Sequence, residues 1–520
     1  MESYENIADR AGTVERTKTQ TLATPAAAMF LVATIGVLTT LIFMRGYAAL
    51  DTGSNLGGSE AEVAVQQDTV LDLDPFLPDD ATAFKAPPPP EQFVPTPGQT
   101  VVSLTFDDGW ASQWDAVRLV GESGFPATFF INSGSVGQPG YLTLENLRIM
   151  AEQGHEIGGH SVSHYDLSTL PPAEAKREIC LDRATLSSWG FNIRNFAYPF
   201  ASVTAEARKS AMECGYNSAR SLGDVRTRFG CPECDWAETV PPVAVDYTAA
   251  PANVTNEWTL EDLKDTVRNA QPLGGWVQLT FHRLCTEECD YISVETSVFT
   301  EFLSWLKSQT EATPTVVRSV EQIIGGPTQP VVPSPAGRGP APAGENGLVN
   351  PSLEALTDVQ GDVPPNISTA GAVPLCWSLD SFGSHQAQFG AVSPGRSGLV
   401  AASLYLDNYR DGEVKLVQST DLGECAPEVV PGRRYTLSAW YKSAVPTQFS
   451  ITYRLQRGVW IYWTSSTNFA ASAEYAEARW ETPPIPEGVT AISFGLSLLE
   501  DGQLTTDDYS LIELQEGQPG

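Results

Sequence analysis

Basic residues are scarce in this chain of 520 residues: Lys and Arg number 31 against 63 Asp and Glu, a formal net charge of −32. Such a surface repels phosphate backbones, which argues against nucleic acid as a partner and otherwise reads as a device for solubility. Histidine is scarcer still, with five in the whole chain, so any gathering of them carries information. Long apolar runs are missing except at residues 25–44, where AAAMFLVATIGVLTTLIF and its flanks reach about the length of a bilayer span. Arg10, Arg16 and Lys18 precede that run and only Arg45 follows closely. The positive-inside rule then makes residues 1–24 a cytoplasmic tail, 25–44 a single-pass transmembrane helix in the cell membrane, and everything after Arg45 extracellular. The competing reading is a signal peptide cleaved near Gly46-Tyr47-Ala48, which leaves a secreted protein.

Eight cysteines suit an oxidising exterior: Cys180, Cys214, Cys231, Cys234, Cys285, Cys289, Cys376 and Cys425. Cys231-x-x-Cys234 together with Cys285-x-x-x-Cys289 also has the make-up of a structural zinc site. Disulfides are the default outside a cell, and Cys376 with Cys425 is an attractive pair because both fall in one later domain.

Two stretches break the chain into folded parts. Residues 45–98 are acidic and then Pro-rich, with Pro87 to Pro90 unbroken, and read as a stalk that cannot bury enough surface to fold. Residues 326–346 mix Pro, Gly and Ala in the same way. They delimit one domain at 99–325 and another at 347–516. In the first, β-branched or aromatic runs at 101–105 and 127–131 predict strands, with further strands expected at 156–159, 195–198 and 276–281. They alternate with predicted helices at 143–153, 173–189, 204–214 and 259–270. Thr259 with Asp262 starts the last of these as a capping box, and Gly154, Gly190 and Gly215 sit just past the ends of the others. That alternation is the pattern of a parallel α/β sheet, doubly wound or closed into a barrel. The second domain has short alternating stretches at 435–441, 449–455 and 491–498, the pattern of an all-β jelly-roll sandwich.

The polar residues of the first domain gather at the carboxyl ends of its predicted strands, the edge where parallel sheets place ligands. They are Asp107-Asp108 in TFDDG, His160 and His164 in HSVSH, Arg194 and Tyr198 in RNFAYPF, and His282 in LTFH. Each has a plain alternative. Paired aspartates after a strand often cap a helix, an HxxxH pair is often a surface pair, His282 suits a satisfied core position, and Arg194 suits a simple ion pair. Their conjunction at one edge is what points to a site, and two His with one carboxylate form a facial ligand set that leaves positions open.

In that order the motifs TFDDG, HSVSH, RNFAYPF and LTFH resemble those of the NodB-type polysaccharide deacetylases, carbohydrate esterase family four, over about 99–305. The resemblance implies a distorted (β/α) barrel of about seven strands and hydrolysis of N- or O-acetyl groups on glycans. It implies that Asp108, His160 and His164 ligate a divalent metal, usually zinc or cobalt, that Asp107 is the general base, and that His282 is the general acid. It further implies that Arg194 orients and charges Asp107, and that the backbone N–H of Tyr198 helps hold the oxyanion. The family's aspartate–tryptophan element that tunes the acid histidine has no clear counterpart. Asp246 and Asp224 are the candidates, and a Cys285–Cys289 disulfide is expected to shape the pocket rim.

The second domain resembles the galactose-binding-like sandwiches of carbohydrate-binding modules through NPSLE (350–354), PGRRYT (431–436) and TDDY (506–509). Trp460, Tyr462 and Trp463 are its candidate sugar-stacking faces, with at least one of them expected in the core because alternate residues face opposite sides. A structural calcium is common in similar domains. The expected activity is metal-dependent deacetylation of an N-acetylglucosamine-containing polysaccharide. An O-acetyl xylan-type esterase and a catalytically inactive glycan-binding surface protein are the alternatives. Retention of Asp107, Asp108, His160, His164 and His282 argues against the last.

Overall fold

Nine consecutive buried residues, TVVSLTFDD, form the strand β1 (Thr100–Asp108) at the centre of the first domain. A run this apolar and β-branched, covered on both faces, is what a central parallel strand requires. The computed structural model describes residues 74–514 apart from 79, 224, 241–251, 288, 359–362 and 370. The expected membrane span at 25–44 therefore lies outside the described residues, as do Asp224 and Asp246. Among the described residues no helix is long and apolar enough to cross a membrane.

After β1 come α1 (Gln113–Ser123), β2 (Thr128–Ile131), α2 (Leu144–Glu152), β3 (Glu156–Gly159), α3 (Pro172–Ser188), β4 (Asn195–Ala197), α4 (Ala205–Glu213) and β5 (Ser218–Arg220). The domain continues with β6 (Ala252–Asn253), α5 (Leu260–Ala270), β7 (Gly275–Phe281), β8 (Arg283–Cys285), β9 (Ser293–Glu295), α6 (Thr296–Ala312), β10 (Thr315–Val317) and α7 (Val320–Ile324). The sheet runs β5-β4-β3-β2-β1-β7-β6, with β10 also beside β1, and the pairings are parallel. Among the described residues no ladder joins β5 to β6, so the expected barrel is a parallel half-barrel. Parallel strands send all their carboxyl ends to one edge, and that edge carries the site.

Helix ends follow local chemistry. Thr143 and Asn146 close a capping box at the start of α2, and Thr259 and Asp262 do so at α5. Gly190 ends α3 at φ 93°, and a Cβ there would collide with the carbonyl oxygen of Phe84. That collision partner belongs to the Pro-rich stretch, which corrects the stalk reading for its described part. Ala86 N–H donates to the Gly190 carbonyl, Phe93 N–H donates to Gln322, and Phe84 packs its ring 5.4 Å from Phe191. The linker at 326–346 is strapped down too. Arg183 donates to the carbonyls of Gln329 and Pro330, and Arg177 donates to that of Ala336. Extended Pro-rich backbone leaves its carbonyls unpaired, which makes it a good acceptor for arginine.

Beneath the site, Phe106 stacks on Phe129 and Phe281 at 4.8 and 5.4 Å and meets Phe299 of α6 edge-on at 5.8 Å. Each ring contributes about 1.5–3 kcal/mol by burial.

The second domain is an all-β pair of sheets over one core. The six-stranded sheet includes Ala401–Asp407, Tyr435–Ser443 and Gly502–Glu513. The five-stranded sheet runs Trp377–Phe382, Glu413–Gln418, Val489–Leu498, Gln448–Leu455, Trp460–Ser465. Leu404 and Leu437 of one sheet and Leu416, Ile451 and Phe494 of the other face inward, as alternation requires. The two domains lock together. Arg457 donates to the Ser133 and Gly134 carbonyls and pairs with Asp74, while Glu174 of α3 accepts from the Leu422 N–H.

The cysteines form Cys180–Cys214, Cys231–Cys234, Cys285–Cys289 and Cys376–Cys425, and none is free. The Cys231/Cys234/Cys285/Cys289 zinc alternative is thereby set aside.

Candidate active site

Asp107 and Asp108 are neighbours that do different work because the backbone turns between them. Both pair in the sheet, Asp107 with Phe130 and Asp108 with Ile131, but Asp108 takes φ 77° and is followed by Gly109 at φ 74°. A positive φ is costly for a residue with a Cβ, and such residues concentrate at functional sites. Ser161, His164, Phe200 and Ala201 share the feature on the same rim.

Asp108, His160 and His164 bring three ligand atoms within 4.8 Å of one another. The Asp108 Oδ1 lies 3.2 Å from His160 Nε2 and 3.1 Å from His164 Nε2. The second polar atom of two of the three is already committed. Trp110 Nε1 donates to Asp108 Oδ2 at 2.8 Å, and His160 Nδ1 bonds the Ala197 carbonyl at 2.7 Å. Outer partners of this kind fix the tautomer and aim of a ligand, so this donor set fits a divalent cation. The i, i+4 spacing of the histidines does not act through a helical turn. The loop from 160 to 164 reverses through Ser161 and His164, which sets the rings 5.0 Å apart. Burial by itself raises the Asp108 carboxyl, but His164 charge and hydrogen bonds from both imidazoles hold it well below its ordinary value.

That loop rests on α3. Asp182 accepts from the backbone N–H of Ser133 and of His160 at 3.0 and 3.1 Å, and Glu178 accepts from Ser163 N–H at 2.9 Å. Burial pushes the Asp182 carboxyl well above its usual range and Glu178 to about 7. Glu174, Glu178 and Asp182 recur at helical spacing on the buried face of α3, a pattern that a search for apolar stripes passes over.

The charge partner of Asp107 is Arg220, not Arg194. Arg220 ends β5, pairs with Asp107 and lies 4.6 Å above the Phe130 ring. Arg194 precedes β4 and so sits at the opposite end of the sheet. There it pairs with Glu321 at 2.6 Å and donates to the Gly326 carbonyl. Glu156, which opens β3, accepts from Asn195 and from Glu321 N–H in the same buried group. The RNFAYPF motif is therefore present with its arginine in a structural role. The oxyanion reading of Tyr198 is likewise corrected: its N–H donates to the Arg220 carbonyl at 3.0 Å in the β4–β5 ladder.

His282 follows β7 and is buried, with Nδ1 lacking a hydrogen-bond partner among the described residues. Burial lowers its imidazole below the ordinary value against the opposing charges of Asp108 and Asp107. Gln113, the first residue of α1, donates through Nε2 to the carbonyls of both Asp107 and His282, the latter at 2.8 Å. One amide thus ties Asp107 and His282 together, a link that no sequence motif announced. The Cys285–Cys289 bridge closes the loop beyond His282, and Arg283 between them lies 3.6 Å above the Trp110 ring. Tyr141 covers the other side of that ring at 4.5 Å.

Trp110→Phe keeps that stack and removes only the N–H on Asp108. We expect metal affinity to weaken about tenfold, read by competition with a chromophoric chelator. An unchanged affinity would show that the bond plays no part in aiming Asp108.

In the second domain, Trp460 and Tyr462 lie on the outer face of the five-stranded sheet, opposite Arg454 and Thr452, with Tyr462 59% exposed. Trp463 packs against the core 6.2 Å from Tyr453, as the alternation anticipated for one of the three. No second cluster of three His, Cys, Asp or Glu ligands occurs among the described residues. Two acids of this domain accept from backbone: Glu354 from Leu399 and Val400 N–H, and Asp507 from Arg396 and Ser397 N–H.

The family model described as polysaccharide deacetylase matches residues 95–219. That span holds Asp107, Asp108, His160 and His164 and stops short of Arg220 and His282. A Bacillus subtilis protein assigned to the polysaccharide deacetylases is 31% identical over 123 residues, 23% of this chain and 44% of its own length. A chitin deacetylase of Pestalotiopsis is 27% identical over 208 residues, 40% of this chain and 66% of that protein. The chain thus spans less than two thirds of either relative. The Xyl-CE4 domain of a multidomain xylanase from the hindgut metagenome of Trinervitermes trinervoides aligns at 16% identity and TM-score 0.31, over 44% of this chain and 94% of that one. Residues 95–219 and their surroundings are thus similar to polysaccharide deacetylases.

Proposed function

We propose that the protein removes acetyl groups from an N-acetylglucosamine-containing polysaccharide outside the cytoplasm, using a divalent metal, with zinc the first candidate. The observation that carries this is the convergence of Asp108, His160 and His164 beside the Asp107–Arg220 pair and His282 at one sheet edge. A relative that is a chitin deacetylase supports the N-acetylglucosamine class. Four disulfides support an oxidising compartment, anchored or secreted.

A cation held by Asp108, His160 and His164 supplies Lewis acidity toward water and an acetyl carbonyl. The remaining chemistry belongs to side chains. Asp107, oriented by Arg220, takes the proton of the attacking water. His282 delivers a proton to the departing amine, and its burial makes the imidazolium a readier donor. Gln113 keeps the two in fixed relation.

The test is acetate release by the purified protein from N-acetylglucosamine oligomers and from acetylated xylan, with and without chelator. Chelator-sensitive release from the oligomers is expected, restored by added zinc or cobalt. No release from any substrate after metal is restored would overturn the proposal, and release from xylan alone would move it to O-acetyl chemistry.

A further inference from the structure

The outer face of the five-stranded sheet has a character that solvent does not explain. Alternation turns Lys415, Ser450, Thr452 and Ser493 away from the inward-facing Leu416, Ile451 and Phe494, so these polar residues belong to the outside. Yet Lys415 is 3% exposed, and Ser450 and Ser493 are each 1% exposed. They form the floor of a cleft of about 300 Å³, at the small end for ligand sites. Trp460 lines it, and so does Tyr165 of the first domain, the residue directly after the metal ligand candidate His164. The two domains are held in register beside it by Arg457, three residues before Trp460, planted on the Ser133 and Gly134 carbonyls.

The lining says what would fit. Lys415 Nζ is neutralised by Asp380 at 2.9 Å and by Glu413, which leaves no positive charge for a polyanion. Ser450 donates to Glu413, Thr452 to the Ser493 carbonyl and Ser493 to the Gln418 carbonyl, which fixes their hydroxyl oxygens as acceptors beside the held ion pair. The Trp460 and Tyr165 rings offer apolar faces, and the Trp460 Nε1 is buried without a hydrogen-bond partner among the described residues. Apolar faces with fixed polar groups between them match a neutral pyranose, whose ring has apolar faces and a rim of hydroxyls.

We propose that this cleft between the domains is a subsite for neutral sugar units of the same glycan chain whose acetylated unit lies at Asp108, His160 and His164, so that the sandwich selects long chains over short ones. The inference rests on the deacetylase reading, and its position follows from Tyr165 being continuous with the metal-binding loop. Trp463, packed in the core, takes no part.

The experiment is calorimetric titration of the full chain, carrying Asp107→Asn, with the dimer and the hexamer of N-acetylglucosamine, alongside KM for both on the active protein. The hexamer is expected to bind more tightly than the dimer. Trp460→Ala and, separately, Tyr165→Ala are each expected to lose about tenfold on the hexamer and to collapse the difference between the two lengths. Trp460→Phe, which keeps an apolar ring, should recover most of the preference, a rescue that a purely structural loss of Trp460 would not tie to chain length. Equal losses for both lengths, or none, would overturn the subsite while chelator-sensitive acetate release left the deacetylase reading standing. Absence of acetate release as well would bring down both.

Discussion

Asp107→Asn is expected to cut acetate release about a thousandfold while leaving metal affinity within a few-fold of the parent, measured by initial rates and by chelator competition. The asparagine keeps the volume of a side chain that is 2% exposed, and it leaves untouched the Gln113 bond to the Asp107 carbonyl, which is main-chain. What it removes is the carboxylate proposed to accept the proton. Metal affinity should hold because the Asp107 side chain is turned to Arg220, outside the Asp108–His160–His164 set. Full activity in the variant would remove Asp107 from the chemistry, and a joint loss of metal would place it among the ligands.

The two arginines should separate function from stability. Arg220→Met is expected to lower kcat about a hundredfold, because the proposed base Asp107 loses its ion-pair partner. Arg194→Met should instead cost about 3–5 kcal/mol of folding stability, read from denaturant midpoints, with turnover of the folded fraction retained. The physical reason lies in what surrounds each one. Arg194 is the cation paired with Glu321, and Glu321 in turn lies against Glu156; both carboxyls are raised above their ordinary values by burial and, at Glu156, by repulsion from Glu321. Removing it leaves two buried acids to share protons without compensation. Loss of turnover with unchanged stability in Arg194→Met would return to that residue the catalytic role that the motif suggested.

Gln113 and Asp182 illustrate a different class of residue. Neither lies in a motif, and both act by holding main-chain atoms of residues that do. Their roles depend on α1 and α3 lying against particular strand ends, so a local reading had no means of finding them.

The sequence by itself determined the parts of this protein whose physics is local. Parallel strands such as β1, β2 and β7 are runs rich in apolar and β-branched residues, helix caps such as Thr143 and Thr259 announce themselves, and the metal and base candidates follow strand ends. From such pieces the parallel sheet, the all-β second domain, and the grouping of Asp107, Asp108, His160, His164 and His282 were legible. Tertiary structure alone decided what depends on register and distant contacts. β5 is three residues long and carries no strand-length signal, so the pairing of Arg220 with Asp107 stayed hidden, as did the engagement of the Tyr198 N–H in that same ladder. The Pro-rich segments were read as free because composition reports what a stretch is unable to bury by itself. Their carbonyls and the Phe84 ring found partners elsewhere in the fold. Which aromatics of the sandwich face outward, and that Trp460 shares a cleft with Tyr165, was settled only when sheet register and domain docking brought residues almost three hundred positions apart to one place.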